Sequence, residues 1–407
     1  MNYETVNRKR TGIGFVLAVY AASRMFYLIS GSLFATVVPT SSFQRITSDV
    51  PSGSMNIWSH WDGEHYVALA MGGYLNPPDN VSPAFFPMYP LLMRSFSELF
   101  GGPLSKEALS VWGPLLSLAF LPFALYFIYH IALDGWGERV ARGSVLAIAL
   151  FPTTFFLNAA YTESLFLALS AGSIWAMRVR KDLLLACVLG GFAAATRNVG
   201  MFLVVPLMYE WVRGGGMEEG RERLGGLASL ALVPGGLIAY MGYLWLRFGD
   251  PLLFYSAQEY WNRRHTDPVT LVANIISEAF ESLGSLFGAQ PPAASALGNV
   301  VERLHGANDF YALLFLLFTL ALFALGFRVL PLSLSLYTLL LLISAVTFGK
   351  PETPLMGFSR YILVAFPLFI TLATLLESRR AMGAWLSFSA AVSLVFCAFF
   401  VSWRFVA

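Results

Sequence analysis

The sequence predicts an all-α, polytopic membrane protein, and three observations predict it. Of its 407 residues, 57% are hydrophobic and only 12% are charged, whereas ordinary soluble chains carry about a quarter charged residues. Mean hydropathy is +0.64. The apolar residues also arrive in blocks close to the ~20 residues that a helix needs to cross a bilayer. Length alone would suggest two or three soluble domains; the blocks instead predict one membrane-embedded unit covering 1–407. The net charge of +2 is too small to argue for a nucleic-acid partner. Cys187 and Cys397 sit inside apolar stretches, which argues against a disulfide framework or a thiolate metal site. The five histidines show no metal-ligand spacing. No metal and no cofactor is therefore expected.

The first element follows Arg8, Lys9 and Arg10 and runs from Gly12 to about Val38. It is longer than the apolar core of a secretory signal and lacks a small-residue cleavage site, so it reads as an uncleaved span. Arg24, in its middle, must face protein or water. The spans are expected near 12–36, 108–132, 141–158, 163–178, 183–196, 199–213, 226–246, 309–327, 330–348, 359–376 and 382–402, about eleven in all. Several between 141 and 213 are short for a full crossing. No internal repeat is apparent.

Orientation follows from the short basic loops. Arg139 and Arg142, then Arg178, Arg180 and Lys181, then Arg213, Arg221 and Arg223, and later Arg328, Arg379 and Arg380 join the N-terminal cluster on the cytoplasmic side. Gly214–Gly226 reads as a flexible linker. Two long segments, 37–107 and 247–308, then fall on the opposite side and are expected to form the active-site face. Within 268–287, Val272, Ile275, Ile276, Ala279, Phe280, Leu283, Leu286 and Phe287 recur at helical spacing against Asn274, Ser277, Glu278, Glu281 and Ser285. That pattern predicts an amphipathic helix on the membrane or over a cavity. Gly63–Gly72 and Leu91–Phe100 read as shorter helices of the same kind.

The chemistry-bearing residues cluster on that face. Trp61-Asp62-Gly-Glu64-His65 places a carboxylate between interfacial aromatics. Asp62 is either a general base for an acceptor hydroxyl or the cap of the helix that begins at Gly63, and the two roles are compatible. His65 shares its helix face as a catalytic partner, or simply packs beside Trp61. Phe85-Phe86-Pro87-Met-Tyr89-Pro90 is a rigid loop entering a helix. It is an interfacial plug or, through Tyr89, a substrate contact. Tyr161 or Thr162 closes a turn before Glu163, whose carboxylate at the membrane boundary needs a partner. Arg197, followed by Asn198, is that partner or an anion ligand. Gln258, Trp261, Arg263 and Arg264, with Arg360 and Tyr361 further on, gather cations where the orientation rule gives them no benefit. Guanidinium forks grip phosphate oxygens; the alternative is interfacial anchoring. Asn80-Val81-Ser82 is a glycosylation sequon on the same side. There is no Walker-type loop and no GxGxxG after a strand, so a lipid-borne sugar is a simpler donor than a nucleotide sugar.

In order along the chain, Trp61-Asp62 with Gly73-Tyr74, Phe85-Phe86-Pro87-x-Tyr89-Pro90, Ala160-Tyr161-Thr162-Glu163-Ser164-Leu165-Phe166, Ala195-Thr196-Arg197-Asn198-x-Gly200, Gln258-x-x-Trp261-x-Arg263 and Arg360-Tyr361 with Phe366-Pro367 resemble the PIG-V type of GPI mannosyltransferases and their prokaryotic relatives. These belong to the multi-span GT-C glycosyltransferases. The resemblance implies a GT-C-type bundle and a polyprenyl-phosphate (dolichyl-phosphate-type) mannose donor. It also implies inversion at the anomeric carbon and a lipid-linked or glycan acceptor. It puts Asp62 in the base position and places Trp61, Tyr89, Arg197, Asn198, Gln258, Trp261, Arg263, Arg264 and Arg360 around the substrate, with His65 and Glu163 beside the base. The expected location is the plasma membrane in a prokaryote and the endoplasmic reticulum in a eukaryote, with the active site on the non-cytoplasmic side. Two alternatives stay open: transfer of another lipid-phosphate sugar, and a lipid or sugar transporter (flippase). A transporter would carry its charges near the midplane and often an internal repeat.

Overall fold

A computed structural model describes residues 3–41, 55–75, 82–216, 220–288 and 296–406; side chains of 3–11 and 220–222 are outside this description. Among the described residues helices dominate, and the named strands are one two-residue antiparallel pair, Arg264–His265 on Phe348–Gly349.

Four helices are long and apolar enough to cross a membrane: Gly12–Val37 within Tyr3–Val37, Lys106–Trp136, Asn308–Gly326 and Arg379–Val401. Two bent pairs raise the number to six if each pair is one span, and Leu183–Thr196 and Leu332–Thr347 are apolar but shorter. Among the described residues the expected number of about eleven spans is not confirmed. Proline punctuation, missed by a hydropathy reading, accounts for much of the difference. The 141–158 segment is the helix Glu138–Ala149 followed, after Pro152, by a 3-10 turn Thr154–Asn158. The 199–213 segment starts as the 3-10 turn Asn198–Leu203 before Val204–Arg213. The 226–246 segment bends by 49° at Pro234, and 359–376 bends by 85° where Phe358–Val364 meets Pro367–Leu375. A proline removes an amide donor and clashes with the preceding turn, so a helix breaks or restarts there.

The apolar surface has the pattern of a lipid-facing bundle. On the first helix Val16, Ser23, Arg24 and Tyr27 face inward while Ile13, Leu17, Met25, Ile29 and Leu33 are exposed. Arg24 faces protein, 3% exposed. Its guanidinium donates to the Asn158 amide oxygen (2.8 Å) and the carbonyls of Ala149 (2.8 Å) and Thr154 (3.2 Å) and lies over the Tyr27 ring (5.1 Å), which offsets the cost of a buried charge.

Two expected elements are revised. The Gly214–Gly226 linker is helical from Gly220, in the helix Gly220–Leu230, and 217–219 lie outside the described residues. The amphipathic helix runs Pro268–Gly284 from an Asp267 cap, whose carboxylate accepts the Thr270 amide at 3.0 Å. It buries Leu271, Ile275 and Ala279 against the Asn308–Gly326 helix, while Val272, Ile276 and Phe280 are exposed. At about 100° per residue the 271/275/279 and 272/276/280 rows are adjacent stripes. Of the expected apolar face, Ile275 and Ala279 point inward together with Leu271, while Val272, Ile276 and Phe280 stay exposed. Asp62–Gly72 and Met88–Leu99 are helices close to the expected bounds. The sequon's Asn80 and Val81 lie outside the described residues.

Candidate active site

At one end of the bundle, residues from both halves of the chain enclose a cavity of about 450 Å³. Its polar wall holds Asp62, Glu163, Arg197, Arg263, Arg360 and Tyr361.

Asp62 reaches the cavity through cross-ties made by small residues and backbone. Gly113, in the Lys106–Trp136 helix, allows the Ala159–Ala160 turn to approach; a Cβ there would sit 2.6 Å from that of Ala160. The Ala160 amide then donates to the Trp58 carbonyl (2.8 Å), the Ser59 hydroxyl to the Ser110 carbonyl (2.6 Å), and the Tyr161 hydroxyl to the His60 carbonyl (3.1 Å). These bonds knit the turn before Asp62 to the turn before Glu163. Trp61 precedes the helix at φ 59°, ψ −120°, a strained conformation for a side chain of that size. Asp62 itself is the first helical residue and makes no cap hydrogen bond, so the capping alternative is corrected. Its carboxylate instead accepts from Arg360 Nη1 at 2.7 Å and remains 34% exposed, towards the cavity.

Glu163 is nearly sealed, 2% exposed, with Oε1 between Arg197 Nη1 (2.9 Å) and Arg360 Nε (3.1 Å). It is a strut between two guanidiniums, and of the two carboxylates only Asp62 is open to the cavity. Arg197 thus answers as the partner of Glu163, and it also stands on the cavity wall. Gly200 fixes its place: a Cβ there would meet the Ala193–Ala194 backbone at 2.4 Å, so only glycine lets the turn fold back on Leu183–Thr196. Thr162 makes no cap hydrogen bond; its hydroxyl is near Arg197 at 3.5 Å.

Arg360 is held by a short helix, Phe358–Tyr361, whose Ser359 carbonyl accepts from Thr153 (2.8 Å). Its guanidinium lies over the rings of Tyr161 (4.9 Å) and Tyr361 (5.2 Å), contacts worth about 0.5–2 kcal/mol each. Arg263 donates to the Tyr361 hydroxyl (3.4 Å) and the Phe348 carbonyl (3.5 Å), and no carboxylate among the described residues lies within 4 Å of it. Three guanidiniums therefore face two carboxylates. The cluster carries one cation in excess.

Burial raises the Asp62 carboxyl's proton affinity, but Arg360 at hydrogen-bond distance, with smaller contributions from His65 and Arg263, outweighs it and leaves the group below the usual carboxylate range. His65 is pushed down by burial, against the pull of Asp62. Its ring stacks on Phe85 at 4.7 Å and meets Trp261 edge-on at 5.9 Å.

Of the expected residues, Asp62, Glu163, Arg197, Asn198, Gln258, Trp261, Arg263 and Arg360 line the cavity. Four do not. His65 is wedged behind Phe85 and Trp261, the packing alternative. Tyr89 is fully buried and its hydroxyl donates to the Gly113 carbonyl (2.8 Å), so it holds the Met88–Leu99 helix in place. Trp61 packs against Trp403 (5.6 Å) and Phe405 (5.4 Å), tying down the C-terminal segment. Arg264 is exposed on the two-residue β-pair. Arg263, just before that strand, lines the cavity, and Arg264, its first residue, does not. The sequence reading missed Tyr361 as the hub of the cations, Phe405, and the apolar wall Leu340, Leu341, Ile343 and Ala345. Nothing in composition marks these wall residues.

The sequence profile of the family described as Mannosyltransferase (PIG-V) matches residues 11–213. The chain is 29% identical over 216 residues to human GPI alpha-1,6-mannosyltransferase 2, covering 49% of this chain and 43% of that protein. The rat protein of that name is 28% identical over 218 residues, with the same coverage. The chain thus spans under half the length of these curated relatives. Among solved structures, ArnT from Cupriavidus metallidurans bound to undecaprenyl phosphate superposes with a TM-score of 0.51 at 14% identity, over 93% of this chain and 63% of ArnT. At that identity the likeness concerns the fold alone, a GT-C-type membrane bundle.

Proposed function

Since residues 11–213 belong to the mannosyltransferase (PIG-V) family, we propose that this chain moves mannose from a polyprenyl-phosphate mannose donor to a lipid-linked or glycan acceptor, with inversion, at the non-cytoplasmic face. The observation that carries the reading is the charge balance of the cavity. Two carboxylates, of which the half-buried Asp62 is open to the cavity, stand among three guanidiniums, and Arg263 has no carboxylate partner among the described residues. A phosphodiester brings the missing negative charge, and Arg recognises its oxygens bidentately.

Asp62 takes the proton of the acceptor hydroxyl, whose oxygen attacks C1 of the sugar. The C1–O bond to phosphate breaks, and charge grows on the departing lipid phosphate. Arg197, Arg263 and Arg360 are aimed where that charge develops, where preorganised cations are most effective. Arg264, exposed on the β-pair, takes no part. The apolar wall Leu340, Leu341, Ile343 and Ala345 gives the donor's isoprenoid chain a surface beside the cations. The undecaprenyl phosphate bound by ArnT suggests the same kind of ligand here.

Incubating the purified chain with radiolabelled polyprenyl-phosphate mannose and candidate lipid acceptors tests the reading. Label on a new lipid or glycan supports it. Intact donor crossing vesicle bilayers without transfer would favour the flippase alternative and sink the enzyme.

A further inference from the structure

Tyr361 is the point on which the cationic cluster converges. Its hydroxyl accepts from Arg263 Nη1 and Arg360 Nη2, each at 3.4 Å. The guanidinium of Arg197 lies 5.0 Å from its ring centroid and that of Arg360 5.2 Å. A phenol oxygen has two lone pairs and one proton. Here both lone pairs face guanidinium donors, and among the described residues the hydroxyl donates to nothing. The side chain lies on the cavity wall, which leaves its O–H available to a ligand in the cavity. Cations at the oxygen polarise that O–H and strengthen it as a donor.

Resting on the transferase reading above, we infer that Tyr361 is a further catalytic residue, the general acid that delivers its proton to the departing lipid phosphate. Asp62 removes the acceptor's proton as the acceptor oxygen bonds to C1. The C1–O bond to phosphate breaks with its electron pair left on the phosphate oxygen, and the Tyr361 proton moves to the phosphate. The resulting phenolate sits among Arg197, Arg263 and Arg360 and regains a proton from water after the lipid phosphate leaves; Asp62 returns its proton to water. Protons and charge balance without another reactant. The arrangement separates acid and base by residue: the carboxylate is ion-paired to Arg360, and the phenol is placed against all three cations.

The test is Tyr361→Phe, which keeps the ring and the cation–ring contacts, together with a fluorinated tyrosine at position 361, a stronger acid of nearly the same size. Transfer at saturating polyprenyl-phosphate mannose should fall by about a hundredfold in Tyr361→Phe, the size expected for losing a general acid. Donor affinity and the thermal midpoint should stay near wild type. The alkaline limb of the pH–rate profile, where the acid loses its proton, should move to lower pH with the fluorinated residue and vanish in Tyr361→Phe. A Tyr361→Phe protein that transfers at the wild-type rate, or that loses donor affinity while the alkaline limb stays, overturns the acid role and leaves the transferase reading intact. A wild-type chain that transfers no mannose overturns the transferase reading instead, and this role with it.

Discussion

The cavity is built from two regions of contrasting construction. The shelf that carries Asp62 and Glu163 is cross-tied by backbone hydrogen bonds from Trp58, His60 and Ala160 and is backed by fully buried Trp58, Tyr89 and Tyr161. The opposite wall, Gln258–His265 with Phe348–Gly349, is mostly exposed. It hangs on a two-residue β-pair, an Asn262–Glu352 hydrogen bond (2.7 Å) and the Asn274–Pro351 bond (3.0 Å). The shelf lies within the family match and the wall outside it. Proton transfer tolerates little misplacement, and the carboxylate proposed to carry it sits on the over-determined shelf. On the proposed reading a lipid donor has to enter and leave, and Arg263, the cation proposed to meet it, sits on the less tightly tied wall, where local opening costs less.

Four experiments sharpen or break that contrast. The largest effect is expected from Glu163→Ala, which leaves Arg197 and Arg360 without their common counter-ion inside the shelf. Breaking a buried pair costs about 3–5 kcal/mol, so the thermal midpoint in detergent should fall clearly; an unchanged midpoint would mean that Glu163 is no strut. Asp62→Asn should lower turnover by at least about a hundredfold, roughly 2.7 kcal/mol of barrier, with donor binding preserved. Near wild-type transfer by that variant removes the base assignment. Arg263→Ala, on the loose wall, should weaken donor binding by about tenfold, as for one charge-assisted hydrogen bond, and leave the thermal midpoint in place. Equal donor affinity by direct binding would argue against a phosphate role. Asn262→Ala, at the exposed tie to Glu352, should change stability by less than about 1 kcal/mol, while speeding donor exchange measured by stopped flow.

Arg360→Gln reports on pH. Arg360 holds the Asp62 carboxyl below its ordinary range against a burial effect that raises it. Asp62 must be ionised to act as base, so activity is lost as pH falls through its folded value. Removing the cation leaves burial dominant, and the acid limb of the pH–rate profile should move to higher pH. An acid limb that stays put would mean that another group sets it.

Much of the candidate site was legible in the chain, and the errors have a common form. Asp62, Arg197, Arg263 and Arg360 stand out because charged side chains next to apolar blocks need a reason to be there. His65, Trp61 and Tyr89 were drawn in by the same aromatic-rich company, yet pack behind the cavity: aromatics near a site are as often its support as its surface. Arg264 differs from Arg263 only by one residue of register, and a two-residue strand gives no periodicity from which to read it. Glu163 was recognised as needing a partner, but that it would bridge two arginines some 34 and 197 positions away depends on contacts between distant segments.

By itself the sequence determined the helical membrane class, the chemistry-bearing residue types and their order along the chain. It did so because hydropathy, helix periodicity and proline are local properties that each segment carries with it. The tertiary structure decided which helices run unbroken, which carboxylate stays open to the cavity, and which phenol the arginines surround. Those outcomes turn on close approaches such as Gly113 to Ala160 and Gly200 to Ala193, and an approach between segments far apart in the chain leaves no mark on the composition of either one.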